Sequence, residues 1–211
     1  MTRASVNKLL LALLLGLASA CAWSGAQVYE PLAADVRAGL AASIADRPAP
    51  RHGFERSMEA VDWLDAMSQR LARRIPDFDS RLAFLRTLHY EATRAGLDPQ
   101  LVLALVQVES GFKKYALSSA GARGYMQVMP FWTKVIGAPA HNLFNFRINL
   151  RYGCVILRHY LDIEKGDMSR ALGRYNGSLG KPEYPNPVLA TMKHSWSYDP
   201  AQQARSVEPT R

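Results

Sequence analysis

Asp98-Pro99-Gln100-Leu101-Val102-Leu103-Ala104-Leu105-Val106-Gln107-Val108-Glu109-Ser110-Gly111-Phe112 spells out a helix together with both of its ends. Asp98 suits the N-cap and Pro99 the first helical position, where a missing N–H costs nothing. From Leu101 to Val108 every residue except Gln107 is apolar, so the helix is expected to be buried on most sides. Gly111 supplies the stop. Glu109 therefore falls in the last turn, near the negative end of the helix dipole. The dipole raises its pKa by less than one unit, about 0.3–1 kcal/mol, while burial adds up to several units. A carboxyl kept protonated near neutrality is what a general acid requires; the alternative is an ordinary surface glutamate at a helix end.

Working outward, strand signals are scarce and apolar residues recur at helical spacing. Upstream, helices are expected over residues 32–45 and from about Phe54 to Ile75, the second with Met58, Val61, Leu64, Met67 (or Ala66) and Leu71 on one face. Pro76 ends it, and Asp79 or Ser80 is placed to cap the next helix, which runs to about Ala95. Downstream, a short helix through Trp132 and Val135 stops at Gly137. A long helix is expected from Asn149 to about Glu164, with Leu150, Val155 (or Cys154), Leu157 and Leu161 inward. Met168–Tyr175 forms another, Pro187 opens a last one, and the tail from about Asp199 is polar. The fold class expected is all-α, without repeats or heptads.

The N-terminus reads as an export signal. Arg3 and Lys8 precede the apolar run Leu9–Leu17, which is too short to span a bilayer, and small residues follow. Ala18-Ser19-Ala20 fits ordinary signal peptidase and Ser24-Gly25-Ala26 offers a second cut. Leu17-Ala18-Ser19-Ala20-Cys21 also has the look of a lipobox, which would tether the mature chain to a membrane through an acylated Cys21. Losing residues 1–20 removes Arg3 and Lys8 but no acid, lowering the formal net charge from +8 to +6. A basic exported chain is drawn to polyanions such as an acidic wall. Export argues against nucleic acid as the partner, and neither a zinc-finger spacing nor an RNA-recognition signature is present. Cys21 and Cys154 are the only cysteines, and no disulfide between them is expected. The histidines His52, His89, His141, His159 and His194 are scattered without ligand spacing, and no glycine loop cradles a phosphate, so no metal or cofactor is called for.

The segment Gly124-Tyr125-Met126-Gln127-Val128-Met129-Pro130 mixes flat apolar faces with one amide, a composition suited to the wall of a sugar groove. Tyr175-Asn176-Gly177-Ser178 adds a phenol and an amide beside a turn. Between Glu109 and Asp162 there is no acidic residue, while seven lysines and arginines lie there. Most glycosidases flank the scissile bond with two carboxylates; here a second one has to come from Glu91, Glu164 or Glu183, or not at all.

From about Ser80 to Trp196 the chain resembles the lytic transglycosylases with a goose-lysozyme-like catalytic domain. The resemblance rests on Leu97–Val102, Val108-Glu109-Ser110-Gly111-Phe112, Ser118–Ala122, Gly124–Pro130, Asn149-Leu150-Arg151-Tyr152-Gly153, Ala171–Ser178, and Tyr184 with Val188, in order and at sensible spacing. It implies a lysozyme-like domain over 80–197, preceded by a signal peptide (1–26) and a helical extension (27–79) and followed by a tail (198–211). It also implies cleavage of the β-1,4 bond between N-acetylmuramic acid and N-acetylglucosamine in peptidoglycan, leaving a 1,6-anhydromuramoyl end. By the same resemblance Glu109 is the catalytic acid and then base, and Ser110, Gln127, Met129, Tyr175, Asn176 and Tyr184 bind substrate. Lys113-Lys114 stand where the family commonly has Asn/Asp-Pro, and Tyr125 where leucine is usual. Alternatives are a hydrolytic muramidase or chitinase on the same scaffold, and a non-enzymatic wall-binding scaffold. Partners of an envelope machine would be met through residues 27–79.

Overall fold

A computed structural model describes residues 27–45 and 58–199. The signal segment, the Cys21 site and the start expected for the second helix lie outside the described residues. Eight α-helices are described: α1 (Ala34–Ala45), α2 (Met58–Leu71), α3 (Phe78–Arg94), α4 (Pro99–Ser110), α5 (Phe131–Ile136), α6 (Phe146–Ile163), α7 (Met168–Asn176) and α8 (Pro185–Thr191). A π-helical turn, Met192–Trp196, extends α8. Among the described residues pairing of the β type is confined to isolated bridges, Leu117 with Arg123 and Arg123 with Val128. The fold is all-α.

Helix α4 is the axis of the core. Its side chains from Leu101 to Val106 are almost wholly withdrawn from water, each worth roughly 1.5–3 kcal/mol for the larger residues. Asp98 caps it by accepting from the Gln100 N–H at 2.8 Å, and Gly111 ends it at φ 57°, in the left-handed region that only glycine enters freely. Around it pack α3, α8 and the π-turn, while α6 packs on α3 and α7. Trp196 closes the bottom, its Nε1 donating to Oε1 of Gln107 at 2.9 Å.

Three helix starts differ from expectation, each for a local reason. Helix α3 is capped by Asp77, whose carboxylate accepts from the Ser80 N–H, rather than by Asp79 or Ser80. Helix α6 begins three residues before Asn149, because Asn145 accepts from the N–H groups of Arg147 and Ile148. Helix α8 begins at Pro185 rather than Pro187. In α2, Leu64, Met67, Ala66 and Leu71 face inward as expected, but Val61 is 45 % exposed. Trp63 is buried instead, its ring edge on His89 and its Nε1 donating to Gln100, and this large indole sets the phase of the buried face. In α6, Leu150, Cys154, Val155, Leu157 and Leu161 are all buried.

Candidate active site

Glu109 stands on the last turn of α4, partly buried at residue level with its carboxyl group enclosed. Burial pushes its pKa up to about 8, opposed only in part by a hydrogen bond donated from Tyr184 Oη to Oε1. No carboxylate among the described residues contributes to that shift. Glu91 is 2 % exposed and is held by Arg94 at 3.0 Å and Arg151 at 2.8 Å. Glu164 is bound by Arg170 and Arg174. Glu91 and Glu164 are therefore committed to arginines, and Glu183, the third candidate, is exposed and makes no contribution to the shift of Glu109.

The sequence-predicted site residues fall into two groups. Ser110 and Tyr175 turn their hydroxyls to the main chain. Ser110 Oγ donates to Val106 O and to Tyr125 O, and Tyr175 Oη donates to Met126 O at 2.7 Å. Gln127 likewise spends its amide N–H on Ala116 O and Gly124 O. Its φ of 47° is unusual for a residue with a Cβ, and those two side-chain bonds hold the strained backbone in place. Ser110 ties the Gly124–Pro130 loop to the end of α4, Tyr175 ties it to α7, and Gln127 ties it to Ala116. Tyr184 is the group that touches Glu109. Burial and the charge of Glu109 keep the phenols of Tyr184 and Tyr175 far above their ordinary pKa, so both stay protonated donors. Asn176, on the last turn of α7, is buried with an amide nitrogen that has no partner. Met129 is partly exposed at the end of the loop.

Two participants were not singled out from the sequence. Asn149 is fully buried and holds the loop from behind: its Oδ1 accepts from Met126 N–H at 2.8 Å, and its Nδ2 donates to Arg123 O and Leu143 O. Its signal was present in the Asn149–Gly153 run, which reads naturally as a helix start. Gly124 must be glycine for the same reason: at φ 73°, a Cβ there would lie 2.6 Å from both Asn149 Nδ2 and Leu143 O. The other is Gln27, whose Oε1 accepts from the Met129 N–H at 3.1 Å; nothing local in the sequence marks it. A cavity of about 340 Å³ lies elsewhere, between Ile44, Glu91, His141 and Arg151, and does not include Glu109.

A raised carboxyl with a phenol bonded to it makes a group able to give up a proton and take it back. The family model described as Transglycosylase SLT domain matches residues 87–184. The chain is 33 % identical over 103 residues to a transglycosylase of Enterobacteria phage PRD1, an overlap covering 49 % of this chain and 38 % of the phage protein. It is 45 % identical over 47 residues to the membrane-bound lytic murein transglycosylase C of Actinobacillus pleuropneumoniae, covering 22 % and 13 % of the two chains. Among solved structures it is similar to an inactive mutant of the lytic transglycosylase Slt from Pseudomonas aeruginosa. That match has a TM-score of 0.42 and 28 % identity and covers 59 % of this chain and 21 % of the other. The chain thus spans well under half the length of the relatives it matches.

Proposed function

We propose that this protein is a peptidoglycan lytic transglycosylase, cleaving the bond between N-acetylmuramic acid and N-acetylglucosamine without water. The observation that carries this reading is Glu109: a single carboxyl with its pKa raised to about 8, bonded by Tyr184, while Glu91 and Glu164 are held by arginines. One carboxyl is enough when the substrate supplies the nucleophile. Tyr184 occupies Oε1, so the transferable proton sits on Oε2. Glu109 gives that proton to the glycosidic oxygen as the bond from the anomeric carbon breaks. The resulting carboxylate then takes the proton of the C6 hydroxyl, whose oxygen closes on the anomeric carbon as the 1,6-anhydro ring. The proton returns to Glu109 and no water is consumed.

In this reading Tyr184 steadies the carboxylate between its two duties, Met129 and Asn176 meet the sugar, and Ser110, Gln127 and Tyr175 act by shaping the groove. The envelope is the proposed address, reached through the N-terminal signal segment; a cut before Cys21 would leave that cysteine as a membrane tether, and a cut after Ala26 would remove it. Residues 27–79 would meet any envelope-machine partner. Mass spectrometry of digested peptidoglycan tests the reaction: anhydro ends are expected, lost in Glu109→Gln, and reducing ends would assign a hydrolase instead. A non-enzymatic scaffold predicts no new ends at all.

A further inference from the structure

The segment ahead of α1 runs to the catalytic loop. Residues 27–33 are neither helix nor strand. Gln27 is 4 % exposed, and its carboxamide oxygen accepts from the Met129 N–H. The same amide faces the Tyr175 hydroxyl without forming a hydrogen bond of ordinary geometry, so its nitrogen is enclosed and unpartnered. Tyr175 in turn lies within electrostatic range of Glu109. The side chain of Gln27 therefore enters the site itself.

The remaining contacts of the segment are light. Tyr29 meets the edge of Phe131 with ring centroids 5.6 Å apart, yet is 55 % exposed, and Val28 is 58 % exposed. Glu30 pairs with Arg174 at 3.1 Å while itself largely in solvent. Exposed pairs of this kind contribute about 0–1 kcal/mol. A buried donor left without a partner costs about 1–3 kcal/mol, which offsets much of what the Gln27 acceptor bond contributes. Leu32 packs on the core and α1 behind it is fixed against α5 and α6, so only Gln27–Pro31 is lightly seated.

The chemistry of the seated group is informative. A glutamine side chain ends in a primary carboxamide on a methylene; the N-acetyl group of an amino sugar is a secondary amide of the same size, with the same carbonyl acceptor. We propose that Gln27–Pro31 is an autoinhibitory strap hinged at Leu32, in which the Gln27 carboxamide occupies the position at Met129 and Tyr175 that takes the acetamido group of a glycan, so that strap and substrate compete. This rests on the glycan-cleaving reading above for the identity of the competitor. Either cut suggested by the sequence, before Cys21 or after Ala26, leaves Gln27 in the mature chain.

The test uses the processed chain and tri-N-acetylchitotriose as probe, with Kd measured by calorimetry for wild type, Gln27→Ala, Gln27→Glu and Glu30→Ala. Thermal melts check that each variant is folded. If the strap is seated in about nine molecules in ten, removing the amide tightens the apparent Kd about tenfold. Gln27→Glu acts in the same direction, because a carboxylate is driven out of an enclosed site beside Glu109. Glu30→Ala gives a smaller gain. A folded Gln27→Ala variant that binds no more tightly, or more weakly, overturns the proposal and makes Gln27 part of the wall; so does absence of binding by every form. Peptidoglycan cleavage by wild type, set against Glu109→Gln, tests the enzymatic reading separately. Cleavage without tighter binding sinks the strap alone, and tighter binding without cleavage sinks the enzyme alone.

Discussion

Tyr184 Oη donates a hydrogen bond of 2.5 Å to Oε1 of Glu109 across 75 residues of chain. The bond joins the end of α4 to the start of α8, and those two helices pack against each other. It gives the carboxyl a fixed orientation and a neighbour that never becomes anionic in the working range of pH.

The pH dependence follows from the raised pKa of Glu109. As general acid it must be protonated, so the rate of wall cleavage is expected to be lost as pH rises through about 8. The stability sign is the same. A folded-state pKa above the unfolded value means full stability below the unfolded pKa, declining as pH rises toward about 8. Glu109→Gln removes this dependence. It is expected to lower turnover by about 10²–10⁴-fold while stabilising the fold by about 4 kcal/mol near pH 8 and by almost nothing at pH 4. Melting curves of both proteins at the two pH values check it; a variant no more stable at pH 8 than wild type would count against a buried carboxyl.

Tyr184→Phe keeps the ring and deletes the donor. Because that bond favours the carboxylate, its loss moves the basic limb of the pH–rate profile upward. Turnover at the optimum is expected to fall about tenfold or more, as a charge-assisted hydrogen bond is worth about 1.5–3 kcal/mol. A profile unchanged in position would mean the phenol acts only by packing.

Asn149→Ala strands Met126 N–H and Leu143 O in the interior, while Arg123 O keeps the Val128 N–H. A loss of about 2–4 kcal/mol is expected from unpaired buried groups. Gly124→Ala drives a methyl into the same amide and into a carbonyl, with strain at positive φ added. Chemical denaturation measures both. The double variant should cost less than the sum, because each damages the same clamp.

Arg151→Ala leaves Glu91 with Arg94 alone in a site almost closed to water. The expected cost is about 3–5 kcal/mol, with the position of the pH–rate profile unchanged because Glu91 takes no part at Glu109. Loss of the profile's shape, rather than of stability, would reassign Glu91 to the chemistry.

Much of this was legible because it was local. Asp98, Pro99 and Gly111 mark both ends of α4 by chemistry that acts within one turn, and the run Leu101–Val106 announces burial without any partner being known. Glu109 follows from those two facts. Tyr184 entered only through resemblance, as a sugar-binding residue, and its bond to Glu109 was not legible, since no periodicity links residues 75 apart. Asn149 was quoted and its role missed: an asparagine near a helix start looks like a cap, and only the packed fold shows that Asn145 caps while Asn149 reaches the loop. Ser110, Gln127 and Tyr175 carry polar groups that sequence assigns to sugar as readily as to main chain. Tertiary geometry decided for the main chain. Val61 shows the same limit in α2, where helical spacing allowed two nearby faces and the bulk of Trp63 chose between them.

The arginines that hold Glu91 reach further than that carboxylate. Arg94 also donates to Ser43 O and Arg151 to Ile44 O, the last carbonyls of α1. Ile44, Met67 and Leu71 belong to the same apolar cluster as Leu103 and Trp196, and the SLT match at residue 87 begins inside α3 rather than at a seam. Helices α1 and α2 are therefore expected to melt together with α3 to α8. Trimming this chain to its recognisable domain would remove part of the interior that keeps the glutamate dry.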